Sequence, residues 1–143
     1  MKQIVGRIGL RLFRDFMADL SSIAKLKLEK LFGMGSGYVL DFSNRTFQEF
    51  INDNLGIDIY DEKYDYQSGS KANRLRGFWN EEPNYLISKL ISVLLEYMKT
   101  QNLLNLRDVS QAEQNLFDEC QKISDKLAQD NVVEHIEAIK SYS

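Results

Sequence analysis

The chain has 143 residues, with 18 Lys plus Arg, 21 Asp plus Glu, and one each of His, Cys and Pro. That length suits one domain over 1–143 with a real core, and a net charge of −3 gives no global attraction to nucleic acid or anionic membrane. One Cys and one His exclude an internal disulfide, most transition-metal sites and most nucleophile–base pairs.

Val5, Ile8, Leu12, Phe13, Phe16, Met17 and Leu20 recur at helical spacing, so the first segment reads as an amphipathic helix. Arg7, Arg11, Arg14 and Asp15 interrupt its apolar residues, so Met1–Leu20 is not read as a signal peptide. Ser21 or Ser22 is placed to cap a second helix carrying Ala24, Leu28, Leu31 and Phe32. Gly33, Gly35 and Gly37 end it, and Tyr38–Phe42 reads as a short extended piece.

A third helix is expected from Ser43 or Asn44, with Thr46 and Glu49 also at capping-box spacing and Gly56 as its C-terminal stop. Residues 57–69 lack a helical period but hold Tyr60, Tyr64 and Tyr66, which predicts an ordered aromatic loop. Ser70 caps a short basic helix reaching Trp79. Pro83 suits the first turn of the next helix, whose apolar residues occupy nearly every face as far as Met98. Ser110-Gln111-Ala112-Glu113 has the form of a capping box, opening a helix with Ala112, Leu116, Cys120, Ile123 and Leu127 inward. Val132, Val133, Ile136 and Ile139 suggest a separate short final helix. The expected fold is all-α: a compact bundle of five to seven helices around a buried central helix at about 83–98, with the long loop at 57–69.

Charge is unevenly spread. Residues 1–32 carry seven basic groups against three acidic, 33–66 two against seven, and 67–80 only Lys71, Arg74 and Arg76. From 107 onward four bases face eight acids. Such alternation is read as packing between oppositely charged segments, with a basic face on 71–76 as the sharper alternative. No apolar run approaches the roughly 20 residues needed to span a bilayer, and a lone Cys suits a reducing compartment. The expectation is a cytoplasmic protein with no membrane contact.

No metal or cofactor is expected. His135 has no second His, and Asp58, Asp61, Glu62 and Asp65 lack the ligand pattern of a calcium loop. Cys120 lies on an apolar stripe, where a Cys acts as a small core residue, and His135 is assigned to another helix. Gly33-Met34-Gly35-Ser36-Gly37 follows a helix rather than a strand, and Gly69-Ser70-Lys71 lacks the upstream Gly of a phosphate loop. No catalytic residue is assigned. Nucleic-acid binding through Lys71, Arg74 and Arg76, with Phe78 and Trp79 nearby, is the strongest reading from residues alone.

Two blocks carry a resemblance. Ser36-Gly37-Tyr38-Val39-Leu40-Asp41-Phe42-Ser43-Asn44-Arg45-Thr46-Phe47, followed by Phe50, and Ser70-Lys71-Ala72-Asn73-Arg74-Leu75-Arg76-Gly77-Phe78-Trp79 resemble the N-terminal domain of bacterial abortive-infection proteins of the AbiJ type. The resemblance covers about 36–98. It implies a non-enzymatic sensing or regulatory module at the front of a phage-defence protein, with a protein partner or a C-terminal effector domain. That effector is often a HEPN ribonuclease carrying Arg followed four to six residues later by His. His135 has no such Arg, so ribonuclease activity is not carried over. The alternatives are the nucleic-acid module and an immunity or antitoxin protein that masks a partner.

Asp41, Arg45, Lys71, Arg74 and Arg76 are left without an evident packing duty and form the candidate binding set. An Asp41 pair with Arg45 or with Arg74 is the structural alternative.

Overall fold

The computed structural model describes residues 20–141, with side chains at all of these positions except 131–135. The N-terminal helix expected over 1–20 therefore lies outside the described residues but for Leu20, which is buried. Among the described residues there are five α-helices: α1 (Ser22–Leu31), α2 (Asn44–Leu55), α3 (Lys71–Glu81), α4 (Asn84–Leu104) and α5 (Gln111–Ser141). Single 3-10 turns stand at Met34–Ser36 and Glu62–Tyr64. The fold is an all-α bundle.

Each start is chemically marked. Ser21, Ser43, Ser70 and Ser110 accept hydrogen bonds through their hydroxyls from the backbone N–H groups of Ala24, Thr46, Asn73 and Glu113 at 3.1–3.2 Å. Those donors have no partner inside their helices, and supplying one is worth about 1 kcal/mol. At Ser43 the box closes with Thr46, whose hydroxyl accepts from the Ser43 N–H at 2.9 Å. Glu49 turns instead to Arg45. Glu113 likewise does not close a box at Ser110; its carboxylate takes both oxygens to Arg107 at 2.9 and 3.0 Å. Gly56 stops α2 with φ +67°, a left-handed conformation a Cβ disfavours.

Helix α4 is the buried spine, with Ile87, Leu90, Ile91, Leu94 and Leu95 all inside. It runs past the expected end at Met98 to Leu104, and Pro83 caps it rather than entering its first turn. Helix α5 lies antiparallel to it. Ser88 Oγ donates to the Ser124 carbonyl at 2.9 Å, and Ser124 Oγ returns a bond to the Ser88 carbonyl at 3.0 Å. Two small residues at the crossing let the backbones approach and satisfy both buried hydroxyls.

Three further expectations are corrected. The extended piece at 38–42 bends into a turn, with Leu40 at φ +48° and its N–H on the Phe32 carbonyl at 2.8 Å. The separate final helix is the continuation of α5, a single helix of 31 residues, because no Gly or Pro interrupts it. Ala112 is exposed in the first turn, where no other helix covers it.

The aromatic loop is held by a close approach. A Cβ on Gly77 of α3 would lie 2.1 Å from the Tyr64 carbonyl oxygen and 2.7 Å from its carbon. In an exposed helix Gly→Ala gains roughly 1 kcal/mol; here the backbone clash reverses the sign. Gly77→Ala is expected to destabilise by at least about 2 kcal/mol in urea unfolding, and an unchanged or raised midpoint would refute this packing.

Candidate functional site

The two blocks that carry the resemblance meet in space. The Ala72 N–H donates to the Gly37 carbonyl at 3.1 Å, joining the start of α3 to the glycine segment after α1. A Cβ on Gly37 would press on Ser70 Cβ at 3.3 Å, and Gly37 itself has φ +88°. Lys71 seals the junction. Its side chain is buried, its ammonium donates to Asn44 Oδ1 at 3.2 Å, and it sits 5.0 Å from the centroid of the Tyr38 ring. A buried ammonium needs such partners, since desolvating it unpaired costs several kcal/mol.

Arg74 ties α3 to the loop. Its guanidinium donates to the Asp61 carbonyl at 2.9 Å and pairs with Asp65 Oδ1 at 2.8 Å, with the Tyr60 ring 5.3 Å away. The side chain is 14% exposed. Arg76 turns to α1, where its Nε meets Glu29 Oε1 at 2.8 Å, and its other nitrogen holds Asn73 Oδ1 at 2.8 Å.

Asp41 pairs with neither Arg45 nor Arg74. It accepts from the Tyr97 hydroxyl at 2.7 Å and from Gln101 Nε2 at 3.4 Å. This anchors the 38–43 turn on α4 beside the Phe42, Phe47, Phe50 and Tyr97 rings, of which Phe42 and Tyr97 stack at 4.5 Å. Arg45 is 87% exposed and bonds Glu49 at 2.9 Å, one turn along the same helix; such a pair is worth a few tenths of a kcal/mol.

The five candidate residues thus form no common site. Lys71, Arg74 and Arg76 each have a structural partner, and the acidic loop neutralises the basic helix it precedes. A basic face on 71–76, open to phosphate, is not what the geometry offers. Tyr38 and Asn44 as partners of Lys71 are not evident from sequence; of the two cap candidates, Ser43 takes the cap and Asn44 turns to Lys71.

Other chemistry can be weighed directly. Cys120 is buried, and that burial pushes its thiol up to about 11, so it stays protonated at neutral pH. His135 lies on the same helix, not another one, and 15 residues along α5 is roughly 22 Å. The two cannot act on one atom. Among the described residues no group of three or more His, Cys, Asp or Glu side chains could hold a metal, and no helix is long and apolar enough to cross a membrane. Asp58 is held below the usual carboxylate range, chiefly by the Gln48 amide at 3.0 Å and then by the Tyr60 N–H.

One surface stands apart. Past the last buried turn of α4, Leu103, Leu104 and Leu106 are all exposed, Leu106 by 90% and at φ +52°. Leu103 lines a groove of about 270 Å³ together with the apolar Leu31, Met98, Val109 and Phe117 and the polar Lys99, Asn102, Arg107, Glu113 and Gln114. Exposed leucines grouped this way mark an interaction surface more often than scattered ones do. The signal was in the sequence as Leu103-Leu104-Asn105-Leu106, beyond the point where the central helix was expected to end.

Comparison with protein-family profiles, curated proteins and solved structures finds no match to this chain.

Two predictions follow from the site. Arg74→Ala frees loop 57–69 and leaves Asp65 unpaired, so amide exchange in that loop should quicken and stability fall by roughly 1–3 kcal/mol. Unchanged loop protection would remove Arg74 as its tether. Tyr64 and Tyr97 are both pushed up to about 12, first by burial and then by their hydrogen bonds to Glu82 and Asp41. A folded value above the unfolded one, near 10, stabilises fully below pH 10 and is lost as pH rises toward 12. Unfolding measured from pH 9 to 12 should show stability falling over that window, less steeply in Tyr64→Phe, while phenolate absorbance shows a late-titrating fraction. A flat profile would contradict these environments.

Proposed function

We propose that this chain is a non-enzymatic sensing or regulatory module of a bacterial abortive-infection phage-defence protein, working in the cytoplasm by binding a protein. The observation that carries the protein-binding part is the exposure of Leu103, Leu104 and Leu106 at the end of α4, the first of which lines a part-apolar, part-polar groove. The defence assignment rests on the resemblance of the two sequence blocks, and their junction through Gly37, Ser70, Lys71 and Asn44 supports treating them as one scaffold. The partner is an effector domain or a separate effector protein presenting an apolar surface.

Engagement of Lys71, Arg74 and Arg76 by the fold argues against the nucleic-acid alternative. Catalytic chemistry likewise has little to work with, given a protonated thiol and a histidine roughly 22 Å along the same helix.

The test is phage plating on cells carrying the native locus. Leu103→Asp with Leu106→Asp should reduce protection to that of cells lacking the gene, while helix content and thermal midpoint stay unchanged because both positions are exposed. Full protection by the double variant would remove this surface from the mechanism. Substrate turnover by this chain alone, lost on changing one polar residue, would end the non-enzymatic reading.

A further inference from the structure

The turn after α4 carries both halves of a fit. Leu106 is 90% exposed and stands in sequence between Leu103 and Arg107, which both line the groove of about 270 Å³. Its N–H donates to the Leu103 carbonyl at 3.2 Å, and the Arg107 N–H donates to the Asn102 carbonyl at 2.9 Å. These bonds hold Leu106 outward at φ +52°. Leu106 is not among the residues lining the groove, so the knob stands beside an open hole. That hole has room for a leucine side chain among Leu31, Met98, Val109 and Phe117.

We propose that a second copy of this chain covers the surface, each Leu106 entering the other's groove about a two-fold axis. The pairing rests on the reading above that this surface binds protein. It adds a regulation: self-pairing hides the leucines until the effector competes for them.

A two-fold contact joins one patch to itself, so the patch must hold both a knob and a hole, and both signs of charge. Lys99 lines the groove, and Asp108 lies between the lining residues Arg107 and Val109. Arg107 and Glu113 satisfy one another at 2.9 Å. Among the described residues neither Lys99 nor Asp108 has an ionic partner, and Lys99 rests 5.9 Å from the Phe117 ring centroid. A two-fold exchange sets Lys99 of one copy against the partner's Asp108, twice over.

The area fits a weak dimer. Leu103, Leu104 and Leu106, exposed by 73%, 70% and 90%, present roughly 400 Å² on each copy. With the groove rims, two copies bury about 1,000 Å², the lower bound for a specific contact. Dissociation in the micromolar range follows.

Sedimentation equilibrium of the full chain up to about 1 mM tests the pairing. Mass should rise from one copy, 16.6 kDa, to two and no further, with a midpoint at about 10–300 µM. Leu106→Asp should raise that midpoint at least about tenfold. Its thermal midpoint should not change, since Asp tolerates a left-handed φ. Lys99→Glu and Asp108→Lys should each raise the association midpoint about threefold. Mixing these two single variants should restore it, which only a contact between copies can do. A single-copy mass at about 1 mM, masses beyond two copies, indifference to Leu106→Asp, or a mixture no tighter than its parts would each overturn the pairing. Phage plating of the double leucine variant decides the functional reading separately, so either can fail alone.

Discussion

The contact on which the rest of the structure depends is the backbone of Tyr64 lying against Gly77. It exists because position 77 has no side chain, and it delivers the Tyr64 ring into the core beside Phe78, 5.3 Å between centroids. Once there, the phenol hydroxyl donates to Glu82 Oε1 at 2.6 Å, and Lys63 pairs with the same oxygen at 3.2 Å. Glu82 closes α3 and directly precedes Pro83, the cap of α4. One missing Cβ thereby couples a loop, the end of one helix and the start of the spine.

The charges follow from that placement. With Tyr64 buried, Asp61 and Asp65 are carried to the face of α3 where Arg74 stands, and a guanidinium can serve a carbonyl and a carboxylate together. At 14% exposure Arg74 has given up most of its water, so its partners are required. Arg76, half-buried against Glu29, repeats the pattern toward α1. The net charge of each segment says little about the surface, because opposite segments spend their charge on one another.

How much was legible depended on the range of the interaction involved. The serine caps, the Gly56 stop, the spine and the aromatic loop were readable because each is set within a few residues. Lys71 was not, since its partners Tyr38 and Asn44 lie about 30 positions away and only the fold joins them. The partner of Asp41 is hidden for the same reason: neither Arg45 nor Arg74, the structural alternatives, but the Tyr97 hydroxyl, 56 residues distant. The final helix was split because hydrophobic spacing marks faces, not continuity. Leu103–Leu106 escaped notice because an exposed leucine has the same letter as a buried one.

That last point bears on where binding energy can come from. Exposed ion pairs such as Arg45–Glu49 contribute about 0–1 kcal/mol, and the more buried cations here are already committed. Burying one exposed leucine is worth about 1.5–3 kcal/mol. Leu106 adds a second element, since a non-glycine residue at φ +52° is held in a conformation it seldom adopts, and the bonds from the Leu106 and Arg107 N–H groups to Leu103 and Asn102 keep it there. The turn fixes three leucines outward before any partner arrives, which lowers the entropy lost on binding. A partner that gained affinity here would do so by covering apolar surface, and its own complementary face should be apolar rather than charged.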